Sequence, residues 1–425
     1  MGLRKKVYTD NETIITAESM NNIQDAILEL EDGLFSVDND KSGAVISITD
    51  AAKRGFRSLN IYGKTTQAGT PTPDAPVDLV STGADGYVIV TVSGANLMPS
   101  TYATFEKNGI TIVFNGNAAT VKGTNTAETP VNTNGPLAIP LPIAKGNYSV
   151  TTSADNVFPQ VSIINTDGTV SYHSRNYSLI GTEQRVNLYL EVKGGATVNT
   201  TINLMVNTGD TLLPFEPYKC QTVTVSTPNG LPGIPVASGG NYTDANGQQW
   251  VCNEIDFKRG KLIVRVFSET ITENLQFIET PDWAGRFVSN NCLSVFSKTG
   301  RDNALSNFAK YEPWGYGYNG ESFAINSRSM YYHPETEMTA DEVTAMFADM
   351  IASETPPVVI GQLIDPEEID LTEEELAAYA SLHTYKDNTT VFNDAGAYMD
   401  LEYVMDAKKY IDSLVTGGIA TARVE

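Results

Sequence analysis

The sequence predicts a mainly β fold, in which an N-terminal helix precedes two β-sandwich-like modules. Three observations lead to this prediction. Short strand-like runs recur along most of the chain, and several end in Asn-Gly, Asp-Gly or Gly-Gly pairs, which tolerate the positive φ angles of tight turns. Thr, Asn, Gly and Tyr are abundant, while charged residues make up only 19% of the 425 residues, a composition typical of β-rich extracellular or virion proteins. Helical periodicity is confined to a few short segments.

The net charge restricts the choice of partner. There are 28 Lys and Arg residues against 51 Asp and Glu residues, which gives a formal charge of −23. Contacts with phosphate would therefore begin from repulsion, and we expect no nucleic-acid partner. No stretch is long and apolar enough to cross a bilayer, so we expect no membrane insertion. The start MGLRKK is basic but lacks the apolar segment of a secretory signal.

The first predicted element is a helix within residues 14–35. Its apolar residues follow the alternating three- and four-residue spacing of a heptad seam, and they are Met20, Ile23, Ile27, Leu30 and Leu34. Two heptads are too few to be stable alone. We therefore expect this helix to pack against its own copies in an oligomer or against a larger assembly. Packing onto its own domain is the alternative.

The segment YGKTTQAGTPTPDAPVDLVSTG, residues 62–83, contains Pro71, Pro73 and Pro76. Proline fixes φ and disfavours helix at the residue before it. Two short strands are predicted just before this segment, in AVISITDAAKRGFRSLNIYGK. The Pro/Thr composition then predicts an extended, semi-rigid spacer that sets distance and direction.

Residues 87–225 have only strand patterns. The runs are YVIVTVSG, GITIVFNG, AATVKG, NYSVTTSA, QVSIINTDG, RVNLYLEVKGG and TINLMVNTG. Regular strands with no helix between them predict a β-sandwich of the jelly-roll type.

The second β segment contains two predicted helices. Thr339 and Glu342 form a capping box for the first, and Thr372 and Glu375 form one for the second. QQWVCNEIDF and GKLIVRVF are predicted to pair across Gly260. The segment TTVFND-AGA-YMDLEYV predicts a C-terminal hairpin, and a last helix is predicted near residues 406–415.

The predicted organisation therefore has five parts. They are a helix region at 1–40, short strands and the Pro/Thr-rich linker at 41–86, a jelly-roll-like β-sandwich at 87–225, a β-rich domain with two short helices at 226–396, and a C-terminal strand and helix at 397–425.

Patterns that would indicate catalysis or metal binding are weak. The histidines and cysteines are far apart, at His173, His333, His383, Cys220, Cys252 and Cys292. Neither a Ser–His–Asp arrangement nor a zinc motif is visible, so we expect no metal and no cofactor. GYGYNG matches the dinucleotide-binding pattern by letter, but it does not open a helix after a parallel strand. DANGQQW lacks the distal Glu of a calcium loop and predicts a hairpin turn.

The acidic run DPEEIDLTEEE allows two interpretations. Paired carboxylates are the groups that glycoside hydrolysis uses. The simpler interpretation, which we adopt, is that acidic side chains collect at a helix N-terminus, where the helix dipole favours them.

One loop has the composition of a binding surface. The segment KYEPWGYGYNGESF crowds aromatic rings among Gly and Asn. Such rings stack on the C–H faces of neutral sugars, while nearby Asn and Glu bind the hydroxyls. We therefore predict ligand binding by Tyr311, Trp314, Tyr316 and Tyr318. The alternative is that these rings fill a core or a subunit interface.

Several segments resemble phage tail proteins. They are ITAESMNNIQDAILELE, GKTTQAGTPTPDAPVDLVSTG, FEPYKCQTVTV, GQQWVCNEIDFKRGKL and LTEEELAAYASLHTYKDNTTVFNDAGAYMDLEYV. They are similar to parts of the tail-fibre, baseplate and minor structural proteins of phages and prophages of Gram-positive, often gut, bacteria. The likeness touches most of the chain in pieces, and residues 87–225 are similar to carbohydrate-binding-like modules of those proteins. The family motifs carry no catalytic residues.

The resemblance implies a non-enzymatic virion protein that is assembled in the bacterial host cytoplasm. Its N-terminal helix region would dock to other tail or baseplate proteins and oligomerise the chain, as a homotrimer. Its β modules would project outward and bind a host cell-surface polysaccharide. Two alternatives stay open, a purely structural baseplate or tail connector and a polysaccharide depolymerase. The lack of a parallel β-helix repeat weakens the depolymerase alternative.

Overall fold

The computed structural model describes residues 36–38, 45–49, 55–135, 137–143, 145–181, 183–280, 285–290, 298–312, 320–326, 328–385 and 388–404. Across these ranges the prediction of a mainly β protein is confirmed, with thirty-three strands in eight sheets and two helices. The predicted heptad seam of Met20, Ile23, Ile27, Leu30 and Leu34 lies outside the described residues. The helix predicted near residues 406–415 lies outside them as well.

Two facing sheets share one core, and together we call them the platform. The first sheet has seven antiparallel strands, in the order β1 (Ser36–Asp38), β33 (Tyr398–Val404), β3 (Phe56–Tyr62), β23 (Glu254–Asp256), β24 (Lys261–Thr270), β31 (Val358–Asp370) and β27 (Thr299–Ser306). The second has four antiparallel strands, in the order β19 (Cys220–Ser226), β6 (Tyr87–Ser93), β32 (Asn388–Asn393) and β2 (Val45–Thr49). Alternate side chains of a strand face the same way. Leu59 and Leu401 of the first sheet thus meet Val90 and Val391 of the second in the buried core.

Residues 94–219 form a separate β body, which we call the inserted module. Its twelve strands surround one apolar core that runs from Leu97 to Val206. One sheet has the order β10 (Val131–Asn132), β16 (Arg185–Val192), β13 (Val157–Ile164) and β14 (Val170–His173), with β11 (Ile139–Pro140) also paired to β16. A second has β15 (Asn176–Leu179), β12 (Gly146–Val150) and β18 (Val206–Thr208), and a third has β17 (Thr197–Asn203), β9 (Ala118–Thr124), β8 (Ile110–Gly116) and β7 (Thr101–Lys107).

Every run quoted above for residues 87–225 contains a strand. The first of them, β6, and the last strand of this range, β19, pair with each other, and their inward side chains belong to the platform core. The inserted module therefore rises from two neighbouring strands of the platform.

A third apolar core lies in what we call the helical lobe. Its sheet has the order β25 (Phe277–Glu279), β26 (Phe287–Ser289), β30 (Met330–His333), β29 (Ser322–Ile325) and β28 (Lys310–Tyr311), of which β28 and β29 are parallel. Helix α1 (Ala340–Ala352) covers it, with the Phe347 ring 4.8 Å from Phe277 and 5.3 Å from Phe308. The described residues also form two small sheets. One has the order β20 (Gly233–Val236), β22 (Gln249–Cys252) and β21 (Tyr242–Thr243), and the other pairs β4 (Thr65–Gln67) with β5 (Leu79–Ser81).

Both predicted capping boxes are confirmed. In α1, Glu342 N donates to Thr339 Oγ1 at 3.3 Å and Thr339 N donates to Glu342 Oε2 at 2.7 Å. Helix α2 (Glu373–Ser381) repeats this arrangement with Thr372 and Glu375. It packs on the platform, where the Tyr379 ring stacks 4.6 Å from Phe257.

The proline segment is not a spacer, and that prediction is wrong. It folds into a hairpin of β4 and β5, with the three prolines in the connection between the strands. Gln67 Nε2 donates to the Ser306 carbonyl at 2.9 Å, and Val77 N donates to the Asn307 carbonyl at 2.8 Å. These bonds hold the hairpin against β27, a strand more than two hundred residues away in sequence. Proline lacks an N–H to donate, so it is confined to the tip, where no ladder needs one.

The predicted pairing across Gly260 is confirmed for β23 and β24, and this glycine has a φ of +66°.

The predicted C-terminal hairpin is wrong in its pairing. Strand β32 pairs with β2 and β6, whereas β33 pairs with β1 and β3, so the chain crosses from one platform sheet to the other. The Asn393 side chain closes the crossing, donating to the Ala397 carbonyl at 2.9 Å and accepting from Ala397 N at 2.8 Å.

Candidate functional site

The predicted aromatic loop is only partly described. Tyr311 lies on β28, half-buried, with its ring 5.6 Å from the buried ring of Phe323 in an edge-on arrangement. It packs against the core of the helical lobe. For this residue the structure agrees with the core alternative. Trp314, Tyr316 and Tyr318 lie outside the described residues, and their ligand-binding role stays a prediction.

A different surface brings aromatic and amide side chains together. In β16 the side chains of Val186, Leu188, Leu190 and Val192 enter the core of the inserted module. Because side chains alternate along a strand, the residues between them face away from that core. The same holds for the alternate residues of β13 and β14. We call this outward surface the module face, and its residues on β13, β14 and β16 are Phe158, Gln160, Ser162, Ile164, Val170, Tyr172, Arg185, Asn187, Tyr189 and Glu191.

Two tyrosines form the aromatic part of the module face. Tyr172 is 59% exposed, whereas Tyr189 is only 5% exposed. Their ring centroids are 6.4 Å apart and the planes are nearly perpendicular, at 86°. This edge-to-face contact is a favourable arrangement for aromatic quadrupoles. It fixes an exposed ring above a buried one and leaves a face of Tyr172 open to solvent.

Polar side chains lie beside this aromatic pair. Ser162 stands directly opposite Tyr172 on one neighbouring strand and opposite Asn187 on the other, and Gln160 stands opposite Tyr189. Directly opposed residues have Cβ atoms about 4.5–5.5 Å apart, so these groups are within reach of one small ligand. Asn187 and Ser162 are buried, which sets the amide and hydroxyl at the floor of the surface.

The electrostatics of the module face favour a neutral ligand. Burial, the Glu191 carboxylate and Tyr172 together raise the pKa of Tyr189 to about 12. The phenol is therefore a neutral hydroxyl at physiological pH. Arg185 and Glu191 lie at opposite ends of β16, so their charges are separated by the length of the strand. The arrangement can stack one apolar face of a sugar ring on Tyr172 and hydrogen-bond its hydroxyls through amide and hydroxyl groups.

The sequence indicates which residues of β16 share a surface, but it does not indicate which residues of other strands join them. In RVNLYLEV the alternation separates the apolar set from Asn187, Tyr189 and Glu191, so it could have marked them as one surface. The alternation could not show that Tyr172 of β14 and Gln160 of β13 lie on the same surface. That juxtaposition depends on the pairing of β13 with both β14 and β16.

Only the second half of the acidic run lies at a helix N-terminus, as predicted for the whole run. Glu373, Glu374 and Glu375 do lie in the first turn of α2, as expected. The four acids before them lie instead on the exposed end of β31, where three of them pair with cations. The ion pairs are Lys298–Glu367 at 2.6 Å, Arg259–Glu368 at 2.5 Å and Lys261–Asp370 at 2.7 Å.

The remaining sequence motifs are structural where the structure describes them. The DANGQQW segment forms the predicted hairpin turn between β21 and β22, with Asp244 Oδ1 accepting from Asn246 N and Gln248 N. Among the described residues no three His, Cys, Asp or Glu side chains lie close enough together to hold a metal ion. Burial raises the pKa of the Cys252 thiol well above its usual range.

Comparison with known proteins identifies no relative of the chain. The chain matches no protein-family model, no curated protein and no solved structure. Within the described ranges, neither helix has the length and apolar character that a membrane span requires.

Proposed function

We propose that the protein is a phage virion protein of the tail fibre or baseplate and that it binds a neutral host-surface glycan through the module face. The observation that carries this proposal is the exposed Tyr172 ring, held edge-on by buried Tyr189 and flanked by Gln160 and Asn187. An exposed aromatic ring beside amides is the chemistry that sugar recognition needs. A cationic or nucleic-acid-like ligand would require a stronger charge than the module face offers.

The virion assignment rests on the sequence resemblance, and the architecture is compatible with it. The inserted module rises from two adjacent platform strands, β6 and β19, so a ligand-binding body is carried on a separate sandwich. In such a protein the N-terminal heptad segment attaches the chain to the particle and assembles it as a homotrimer, while the module points toward the host.

The proposal is tested with fluorescently labelled full-length protein on an array of neutral bacterial capsular and cell-wall polysaccharides. Replacing Tyr172 with Ala should lower the affinity for the bound glycan about thirtyfold, because a stacking ring at a binding site contributes about 2 kcal/mol. Tyr102→Ala is the matched control, since Tyr102 is also exposed, at 75%, but lies on β7 in another sheet of the same module. It should leave binding unchanged.

Two results would overturn the proposal. One is that no glycan on the array binds the wild-type protein. The other is that Tyr102→Ala and Tyr172→Ala lower binding equally. Melting curves of both variants should match the wild type, because both rings are mostly in solvent.

We also propose that the protein does not cleave the glycan it binds. Incubating the pure protein with that glycan should release no reducing ends. Release that a single Asp or Glu substitution abolishes would favour the depolymerase alternative.

One observation favours the connector as a second candidate function. Strands β1 and β33 pair with Ser36 opposite Val404, so these two positions lie side by side at one end of the platform. A single attachment point formed at these two positions suits a part that links other proteins. Wild-type protein that enters particles yet binds no glycan on the array would support the connector.

A further inference from the structure

A cleft of about 360 Å³ lies where the inserted module joins the platform. It is separate from the module face, and its lining comes from both bodies. The platform contributes Ser47, Ile48, Asn388, Thr389 and Thr390 from β2 and β32, and the module side contributes Ala95, Thr208, Gly209, Asp210, Thr211 and Leu213. Pockets that bind small molecules begin at roughly 300 Å³, so the cleft is large enough for one sugar-sized ligand.

The inner end of the cleft is formed by buried residues. Ile48 and Thr390 are each only 2% exposed, and Thr389 is held by hydrogen bonds between its hydroxyl and the backbone of Tyr385. Across the junction Ser47 Oγ lies 3.0 Å from Thr208 Oγ1, which is a direct hydrogen bond between the platform and the module.

The rim of the cleft carries one oriented carboxylate. Asp210 Oδ2 accepts from Asn147 Nδ2 at 3.3 Å, and the Asp210 carbonyl accepts from Asn176 Nδ2 at 2.9 Å. Both donors belong to the inserted module, so the carboxylate keeps its place relative to β12 and β15. A carboxylate held at the rim of a cleft is a strong acceptor for ligand O–H groups.

The composition of the lining selects a class of ligand. It contains no Lys or Arg, which argues against a phosphate or carboxylate ligand. It holds a single carboxylate, fewer charged oxygens than a dedicated calcium site uses. Hydroxyls, one amide and one carboxylate beside the apolar side chain of Leu213 match a neutral polyhydroxylated molecule, whose surface combines C–H and O–H groups.

We infer that this junction cleft binds one neutral polyhydroxylated molecule of monosaccharide size, at a site distinct from the module face. Because both bodies line the cleft, the bound molecule bridges them. It therefore fixes the direction in which the inserted module points relative to the platform. This inference does not depend on the proposed virion function.

The test uses the full-length protein and saturation-transfer NMR with glucose, galactose, N-acetylglucosamine and glycerol as separate probes. At least one of the three sugars should show saturable binding in the millimolar range and raise the melting temperature. Leu213→Trp, which places a large ring in the cleft, should abolish this signal. Asp210→Ala, at an exposed position, should weaken it at least tenfold and keep the protein folded.

Tyr172→Ala separates the junction cleft from the module face. It should keep the monosaccharide signal, even if it loses binding to the polysaccharide array. The inference is overturned if no sugar gives a saturable signal. It is also overturned if the signal survives both Leu213→Trp and Asp210→Ala, or if it disappears in Tyr172→Ala. Far-UV circular dichroism of each variant establishes that a lost signal does not come from unfolding.

Discussion

Ser93 and Cys220 stand directly opposite each other at the end of the β6–β19 ladder, although the whole inserted module lies between them in sequence. One further hydrogen bond, from Gly94 N to the Lys219 carbonyl at 3.0 Å, continues the pairing to the base of the module. The module thus occupies the place of a hairpin turn. Its two ends are as close as those of a two-residue loop, so the platform ladder does not need the module to close it.

This relationship predicts that the module can be removed. Replacing residues 94–219 with Asn-Gly should leave a folded platform, because that pair forms the turn that a two-residue hairpin prefers. The platform should lose about 2 kcal/mol, or roughly 5 °C in melting temperature, because Phe392 of β32 packs against the module core and would become exposed. Circular dichroism and thermal melting of the shortened protein measure both quantities.

A second replacement controls for turn strain in that experiment. A flexible Gly/Ser linker of about ten residues at the same place should give a similar melting temperature, since loop-closure entropy grows slowly with length. If both shortened proteins are unfolded, the platform and the module form one cooperative unit and the prediction is wrong.

The sequence was sufficient to predict features that depend on contacts between residues close together in the chain. Asn108 and Gly109 join β7 to β8 with φ angles of +49° and +77°, as a two-residue hairpin turn of positive-φ residues requires. The capping boxes at Thr339 and Thr372 are equally local. In each of these cases the deciding contacts are made within four residues.

Features that depend on distant partners could not be predicted in the same way. The sequence of TTVFND-AGA-YMDLEYV fits a hairpin and a crossing between sheets equally well. The crossing forms because Val391 and Leu401 both have to enter the same core from opposite sheets. The proline hairpin is held at Ser306 and Asn307, and no local pattern near Pro71 reveals that contact.

The candidate site follows the same rule. Tyr172 and Asn187 face outward on the two sides of Ser162, because each pairs with Ser162 across a different edge of β13. The alternation in each strand is visible in the sequence, but the register that aligns three strands is not. The predicted aromatic loop was chosen for its composition alone, and its one described member, Tyr311, packs against a core.

The two capping boxes offer a matched pair of mutations. Glu375 Oε1 also accepts from Ser226 N of β19 at 2.8 Å, so this carboxylate ties α2 to the platform. Glu342 makes the same cap in α1 but has no such bond to another element among the described residues. Glu375→Ala should therefore destabilise the protein more than Glu342→Ala, by about 1.5 kcal/mol, the typical contribution of a hydrogen bond to a charged group.

Urea unfolding compares the stability of these two variants, and amide hydrogen exchange identifies the mechanism. Exchange at Ser226 should accelerate in Glu375→Ala and stay unchanged in Glu342→Ala. Equal stability losses together with unchanged exchange at Ser226 would contradict the role given to Glu375.

The predicted heptad seam, which lies outside the described residues, is tested through the mass of the oligomer. Changing both Ile23 and Ile27 to Asp would bury unpaired carboxylates at each helix contact and cost about 3–5 kcal/mol. Light scattering should then report a smaller species than the wild type. Asn22→Asp with Gln24→Asp adds the same charge next to the seam and should keep the wild-type mass. An unchanged mass in the Ile23/Ile27 variant would refute the seam.

The Glu321 carboxylate accepts a hydrogen bond from the Tyr332 hydroxyl. Burial raises the pKa of Glu321 above its ordinary value of 4.5, the bond from Tyr332 opposes this shift, and the nearby Glu335 and Asp74 carboxylates add to it. A pKa raised on folding means that protonation stabilises the fold. That contribution is complete below pH 4.5 and is lost as the pH rises through the folded-state pKa.

Replacing Glu321 with Gln keeps an acceptor for Tyr332 and removes the charge. The variant should therefore melt slightly above the wild type at pH 7, and the difference should vanish as the pH falls below 4.5. Glu354→Gln, at an exposed position after α1, is the control and should show no such trend. Thermal melting between pH 3.5 and 7.5 measures the difference. A lower melting temperature of Glu321→Gln at pH 7 would mean that the charge-assisted bond from Tyr332 outweighs the burial and repulsion of the carboxylate.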